Sequence, residues 1–338
     1  MSKFVKHPKY SAGFDTAAYR MTVPEGYARY AVIEGFGPGG AGLTITTETA
    51  PAGAFQVDQL PTNWDPKPPA GASVTIRIGA KKPGSGKIRL LFNGNDYSEP
   101  LPVQIPPDGD GSARSLQDAY QLSTRALIKA KERLEELRNS MIAATGSMPF
   151  QANWDVIFER YLLVANVLNL PNPDLQPGQV NLNPKQKALF ATAIPTITGA
   201  LDRITQSLSL WGTGETPFLM RSDLEPNFAH VFGLSRDDRY YGIELEKLSF
   251  SHSGPLGRAA TMLHERFHLT GAQHGENFFE RKPKPQTGYE TKQNAFRRVD
   301  NAEALAYLVC CLAAELIDPL QVYDREVSKC FWFEAGEA

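Results

Sequence analysis

The chain has only three cysteines in 338 residues, and two of them, Cys310 and Cys311, are adjacent. That number and spacing exclude a disulfide framework and a thiolate metal centre built on CxxC pairs. An excess of one charge is also missing, since 35 Lys and Arg stand against 37 Asp and Glu for a formal net charge of -2. Without a basic run, nothing attracts the chain electrostatically to nucleic acid or anionic lipid, and no nucleic-acid partner is expected. Long hydrophobic runs are lacking too. The longest nearly uncharged stretch, 304–314, is bounded by Glu303 and Glu315 and falls well short of the roughly 20 residues needed to cross a bilayer, so no membrane insertion is expected. The first ten residues are basic but lead into no apolar core and no small-residue cleavage site. A cytoplasmic protein is expected, or one exported by a route without a cleaved signal peptide.

What is present is a composition that changes along the chain. Residues 1–105 are rich in Gly, Pro, Thr and Val, with short alternating runs at 28–34, 42–47, 73–78 and 87–92 that read as strands. The Asn93-Gly94 turn signal and the run at 101–105 suggest the closing hairpin of a small all-β sandwich. No cluster of reactive side chains falls in this part, which is expected to be an accessory module or to bind a protein partner. Residues 106–112, a string of Pro, Asp, Gly and Ser, mark a linker.

From 113 to 338 the pattern turns helical and then mixed. Ser115 with Asp118 looks like a capping pair, and Tyr120, Leu127, Leu134 and Met141 recur every seven residues, so the spacing predicts a helix ending near Gly146 with a buried stripe. A second helix is expected over 152–168. A third begins at Asn183-Pro184, with Pro195 expected to kink or divide it. Extended segments at 217–221, 227–232 and 240–250 then predict a small sheet.

Three of the six histidines lie within eleven residues, in His264-Glu265-x-x-His268-x-x-Gly271-x-x-His274. On a helix, residues four apart share one face, so His264 and His268 can offer imidazole nitrogens to one cation at about 2.0–2.1 Å. Glu265, one position on, is placed to act as a general base on metal-activated water. Leu256, Ala260, Leu263 and Phe267 repeat at helical spacing, Ser253-Gly254-Pro255 supplies a start, and Gly271 a stop.

The HExxH segment, with the sheet signals ahead of it, resembles the zincin metallopeptidases over about 217–320. The resemblance implies Zn2+ held by His264 and His268, Glu265 as general base, and a protein or peptide as substrate. It also implies that 240–250 forms the edge strand along which an extended peptide lies.

A catalytic zinc takes three protein ligands and keeps one open position, and the third ligand has more than one candidate. His274 is placed by the glycine-containing spacing, which resembles that of the metzincins, although none of the six methionines follows it to supply their methionine turn. Glu303 opens an apolar helix and resembles the glutamate of the gluzincins. The segment from Asp300 also resembles that of the deuterolysin-like aspzincins, and Asp300 or Glu276 would serve as ligand or as acceptor for an imidazole N–H. Tyr289 and Tyr307 are candidate donors to an oxyanion, each also readable as a structural tyrosine, and His230 and His252 are expected to have no metal role.

The expected fold class is therefore α+β, a zincin-like metallopeptidase domain at 113–338 preceded by a β-sandwich at 1–105. The expected function is zinc-dependent peptide hydrolysis, as an endopeptidase rather than an exopeptidase. The alternatives are a non-catalytic zinc-binding or partner-binding protein, and a peptidase used as an exported effector.

Overall fold

The computed structural model describes residues 3–8, 10–35, 43–60, 73–109, 112–146, 151–176, 178–209, 218–222, 229–232, 242–246, 254–272 and 299–322. It is a mixed α+β protein, with thirteen strands and six helices among the described residues. Two compact units divide the chain. One comprises Met1–Gln117 with Pro217–His252, the other Asp118–Thr216 with Ser253–Ala338.

The first unit holds two larger sheets. One runs β1 (Lys3–Lys6), β4 (Ala28–Glu34), β7 (Ser73–Ala80), β6 (Phe55–Gln59), and is antiparallel throughout. The other runs β2 (Phe14–Asp15), β3 (Arg20–Thr22), β10 (Leu101–Ile105), β8 (Gly84–Phe92), β5 (Leu43–Ala50), with β9 (Asn95–Asp96) paired to β8. Alternation explains the packing. In β10, Leu101, Val103 and Ile105 are buried, and in β8 Ile88 and Leu90 are, because side chains two apart share a face. These join Phe4, Ile33, Ile76 and Ile78 of the other sheet in one apolar core, so the two sheets form the expected sandwich. The hairpin turn is the one the sequence signals: Asn93 and Gly94 both have positive φ, 50° and 81°, as a two-residue loop with type I′ geometry requires.

A buried ion pair crosses the first sheet. Asp58 of β6 and Arg77 of β7 are register partners, their side chains are each 1% exposed, and Arg77 Nη2 lies 2.6 Å from Asp58 Oδ2. Gln56 donates to the other carboxylate oxygen at 2.8 Å.

The small sheet of β11 (Phe218–Ser222), β12 (Ala229–Phe232) and β13 (Gly242–Glu246) forms where the sequence signals extended chain, and it groups with the first unit. Its order corrects one expectation. The 240–250 segment resembled an edge strand, but β13 is central: β11 pairs with it in parallel and β12 antiparallel. Its backbone groups are shared between two neighbours, so it offers no free ladder to a peptide.

The second unit is built on helices. The first, α1 (Ser112–Thr145), starts three residues ahead of Ser115 and ends before Gly146, whose φ is +80°. Leu127, Leu134, Leu137 and Met141 are buried, as the stripe predicts. α2 (Trp154–Leu168) is capped by Asn153, whose side chain accepts from Val156 N, and closed by Asn169 at φ +55°. α3 (Pro184–Ser209) runs through Pro195 as one helix and is not divided there. The stripes of all three join α4 (Pro255–Leu269) and α5 (Ala302–Leu312) in a single core, with α6 (Pro319–Val322) at its margin. No helix among the described residues is long and apolar enough to cross a membrane.

A side-chain cap fixes the first turn of α5, which carries Glu303. Asn301 is buried, and its Oδ1 accepts from Glu303 N at 2.9 Å and Ala304 N at 3.1 Å. Asn301→Ala is expected to cost about 0.5–2 kcal/mol, read as a lower urea midpoint for the full chain.

Candidate metal centre

The local sequence dictates the helix that carries the histidines. Gly254 is the N-cap of α4 and Pro255 stands at its first position, where its missing N–H costs nothing and its fixed φ suits the helix. Ala260, Leu263 and Phe267 are buried against the core of the second unit. The chain leaves the helix at Gly271, whose φ of +88° lies in the left-handed region that favours glycine.

His264 and His268 meet as the spacing predicts. Their rings are nearly perpendicular, at 80°, with centroids 4.6 Å apart, and the two Nε2 atoms are 2.9 Å from one another. His268 Nδ1 lies 2.8 Å from the carbonyl oxygen of Ala272. A carbonyl only accepts, so His268 carries its proton on Nδ1 and turns the lone pair of Nε2 towards His264. Two Nε2 atoms this close need one proton or one cation between them. With the proton of His264 on its own Nδ1, the pair presents two convergent donors of the kind zinc takes.

Two carboxylates approach the pair. Glu265 is buried, 5% exposed, and its Oε1 is 4.0 Å from His264 Nε2. Glu303, in the first turn of α5, brings Oε1 to 4.0 Å from His264 Nδ1, the other ring nitrogen. Its side chain is 13% exposed, so it is largely withdrawn from solvent. Among the described residues, no group of three His, Cys, Asp or Glu side chains stands ready to hold a metal ion. His274 and Glu276 lie outside the described residues, as do Tyr289 and His252. His230 falls in β12, in the first unit.

The remaining candidates have other partners. Asp300 forms an ion pair with Arg203 of α3, and the same guanidinium donates to the carbonyl of Thr270 at the end of α4. Tyr307 is buried in the core with Cys311 one turn on; burial, then the neighbouring Cys311, pushes its hydroxyl pKa up. Burial pushes the Cys311 thiol up to about 11, so it remains a protonated, unreactive thiol at neutral pH.

Arg266, an unassigned position of the motif, proves to be structural. Its side chain is 1% exposed, donates to Ser123 Oγ, Thr124 Oγ1 and the Ser207 carbonyl, and stands 4.8 Å from the centre of the Tyr120 ring. Burial lowers its pKa to about 10, which leaves it a cation at neutral pH, tying α4 to α1 and α3. The signal in the sequence was a charged residue directly before the buried Phe267.

The sequence matches no protein-family model and no curated protein.

Proposed function

We propose that this chain is a zinc-dependent peptidase whose residues 113–338 are zincin-like, and that it hydrolyses peptide bonds in a protein or peptide substrate. The observation that supports the reading is the pair of Nε2 atoms 2.9 Å apart on α4, one of them oriented by the Ala272 carbonyl. His264 and His268 hold the metal, with His274 as third ligand and Glu303 as the alternative. Zinc, when bound, supplies Lewis acidity that makes water nucleophilic at neutral pH and polarises the scissile carbonyl.

The chain's own residues do the rest. Glu265 takes a proton from the attacking water and passes it to the leaving nitrogen as the C–N bond breaks, so one carboxylate serves as base and then as acid. Its burial beside the imidazoles keeps solvent from dispersing that exchange. Ala272 holds His268 in one tautomer. With His274 as the third ligand, Glu303, whose Oε1 is 4.0 Å from Nδ1 of His264, is instead on the side from which a carboxylate orients an imidazole N–H. The sandwich unit is read as an accessory or partner-binding module.

The test is metal content. After dialysis against zinc and then buffer, the full chain is expected to retain one zinc, measured by elemental analysis. His268→Ala is expected to lower zinc affinity by at least about 100-fold, since it removes a ligand and not merely its support. A wild-type chain that retains no zinc, or a His268→Ala chain that retains it fully, overturns the reading.

A further inference from the structure

We propose that Arg203 is a positioning residue for the metal centre, holding both segments that support the two imidazoles. The inference rests on the zinc reading of the histidine pair. Arg203 lies on α3, its side chain 17% exposed, and its guanidinium bonds to the supporting segments rather than to the imidazoles. Its Nη1 donates to the carbonyl of Thr270 and its Nη2 to Oδ1 of Asp300.

The two oxygens it joins are 30 residues apart in sequence, at the C-terminus of α4 and just before α5. Each lies within three residues of a group that faces an imidazole. Thr270 precedes by two positions Ala272, whose carbonyl accepts a hydrogen bond from His268 Nδ1–H. Asp300 precedes the cap Asn301, and Glu303, near His264 Nδ1, follows in the first turn. A guanidinium is a planar fork of fixed span, so one side chain sets the separation of the two segments. It also satisfies a carbonyl that the end of a helix leaves without an intrahelical donor, and places a cation at the negative end of the α4 dipole. Supports of metal ligands typically change affinity by about 10- to 100-fold when they are lost.

Arg133 provides a matched control. It makes the same kind of contact at the far end of α5, donating to the Leu312 carbonyl at 2.6 Å and to Glu315 at 2.8 Å, away from the histidines. Zinc dissociation constants, by competition with a chromogenic chelator, and thermal midpoints are measured on full-length wild type, Arg203→Gln, Arg203→Lys and Arg133→Gln. Arg203→Gln is expected to weaken zinc binding about 10- to 100-fold. Arg203→Lys, which keeps the charge but cannot span both oxygens, is expected to weaken it less. Arg133→Gln is expected to lower the thermal midpoint while binding zinc as wild type does.

Wild-type affinity in Arg203→Gln overturns the proposal, and so does an equal loss in Arg133→Gln, which would mark the effect as general destabilisation. If Arg203→Gln does not fold, Arg203→Lys decides on the same terms: weakened binding supports the role, wild-type binding overturns it. A wild-type chain that binds no zinc overturns the zinc reading itself. That result is distinct from zinc bound equally well with and without Arg203.

Discussion

Glu265→Gln is expected to leave zinc bound and to cut peptide hydrolysis by about 10²–10⁴-fold, the usual contribution of a positioned acid–base group. The amide preserves the size of the side chain at a position only 5% exposed, so α4 keeps its packing. What it loses is the ability to take a proton. Its carboxylate stands 4.0 Å from His264 Nε2, and its proposed role is on the attacking water rather than as a ligand, so metal retention is expected not to depend on it. Zinc content by elemental analysis and hydrolysis of an unfolded protein such as casein separate the two roles. Full hydrolysis in the variant would remove Glu265 from the mechanism, and loss of zinc would make it a ligand instead.

Asp58→Ala is expected to destabilise the sandwich unit by about 3–5 kcal/mol, because it removes the carboxylate that offsets the charge of a buried guanidinium. The pair lies on facing register positions of β6 and β7, each side chain 1% exposed, and its 2.6 Å contact is made inside the protein. Replacing both partners, as in Asp58→Leu with Arg77→Met, is expected to recover most of the loss, since removing both charges removes the desolvation cost along with the attraction. Urea unfolding of the full chain reads both as shifts in midpoint. A single variant no less stable than the double would show that Asp58 is not what offsets the buried charge.

Local pattern carried much of this architecture. Alternation placed the strands at 28–34 and 73–78, and Asn93-Gly94 announced a turn that indeed has two left-handed residues. Of the seven-residue stripe in α1, Leu127, Leu134 and Met141 are buried as expected, and Tyr120 is half-buried. Errors arose where a local signal met a long-range requirement. Ser115 with Asp118 looked like a start, yet the helix begins a turn earlier. Pro195 removes one donor, yet α3 continues through it, with Ala193, Thr196 and Ile197 buried on either side, so packing outweighs one missing hydrogen bond. The third ligand stands differently, since His274 lies outside the described residues and Glu303 faces the imidazole nitrogen turned from His268.

The amino-acid sequence alone determined that two imidazoles share a helix face, that a carboxylate follows the first, and that a glycine ends the helix, because all of these depend on spacing within a few turns of one segment. Only the tertiary structure decided that the Nε2 atoms face each other, that Ala272 sets the tautomer of His268, that Glu303 comes to the far side of His264, and that Arg203 spans Thr270 and Asp300. It also decided that β13 is central in its sheet. Periodicity records which face of an element is buried but not which partner buries it, and a contact between residues 67 or 97 positions apart leaves no local trace.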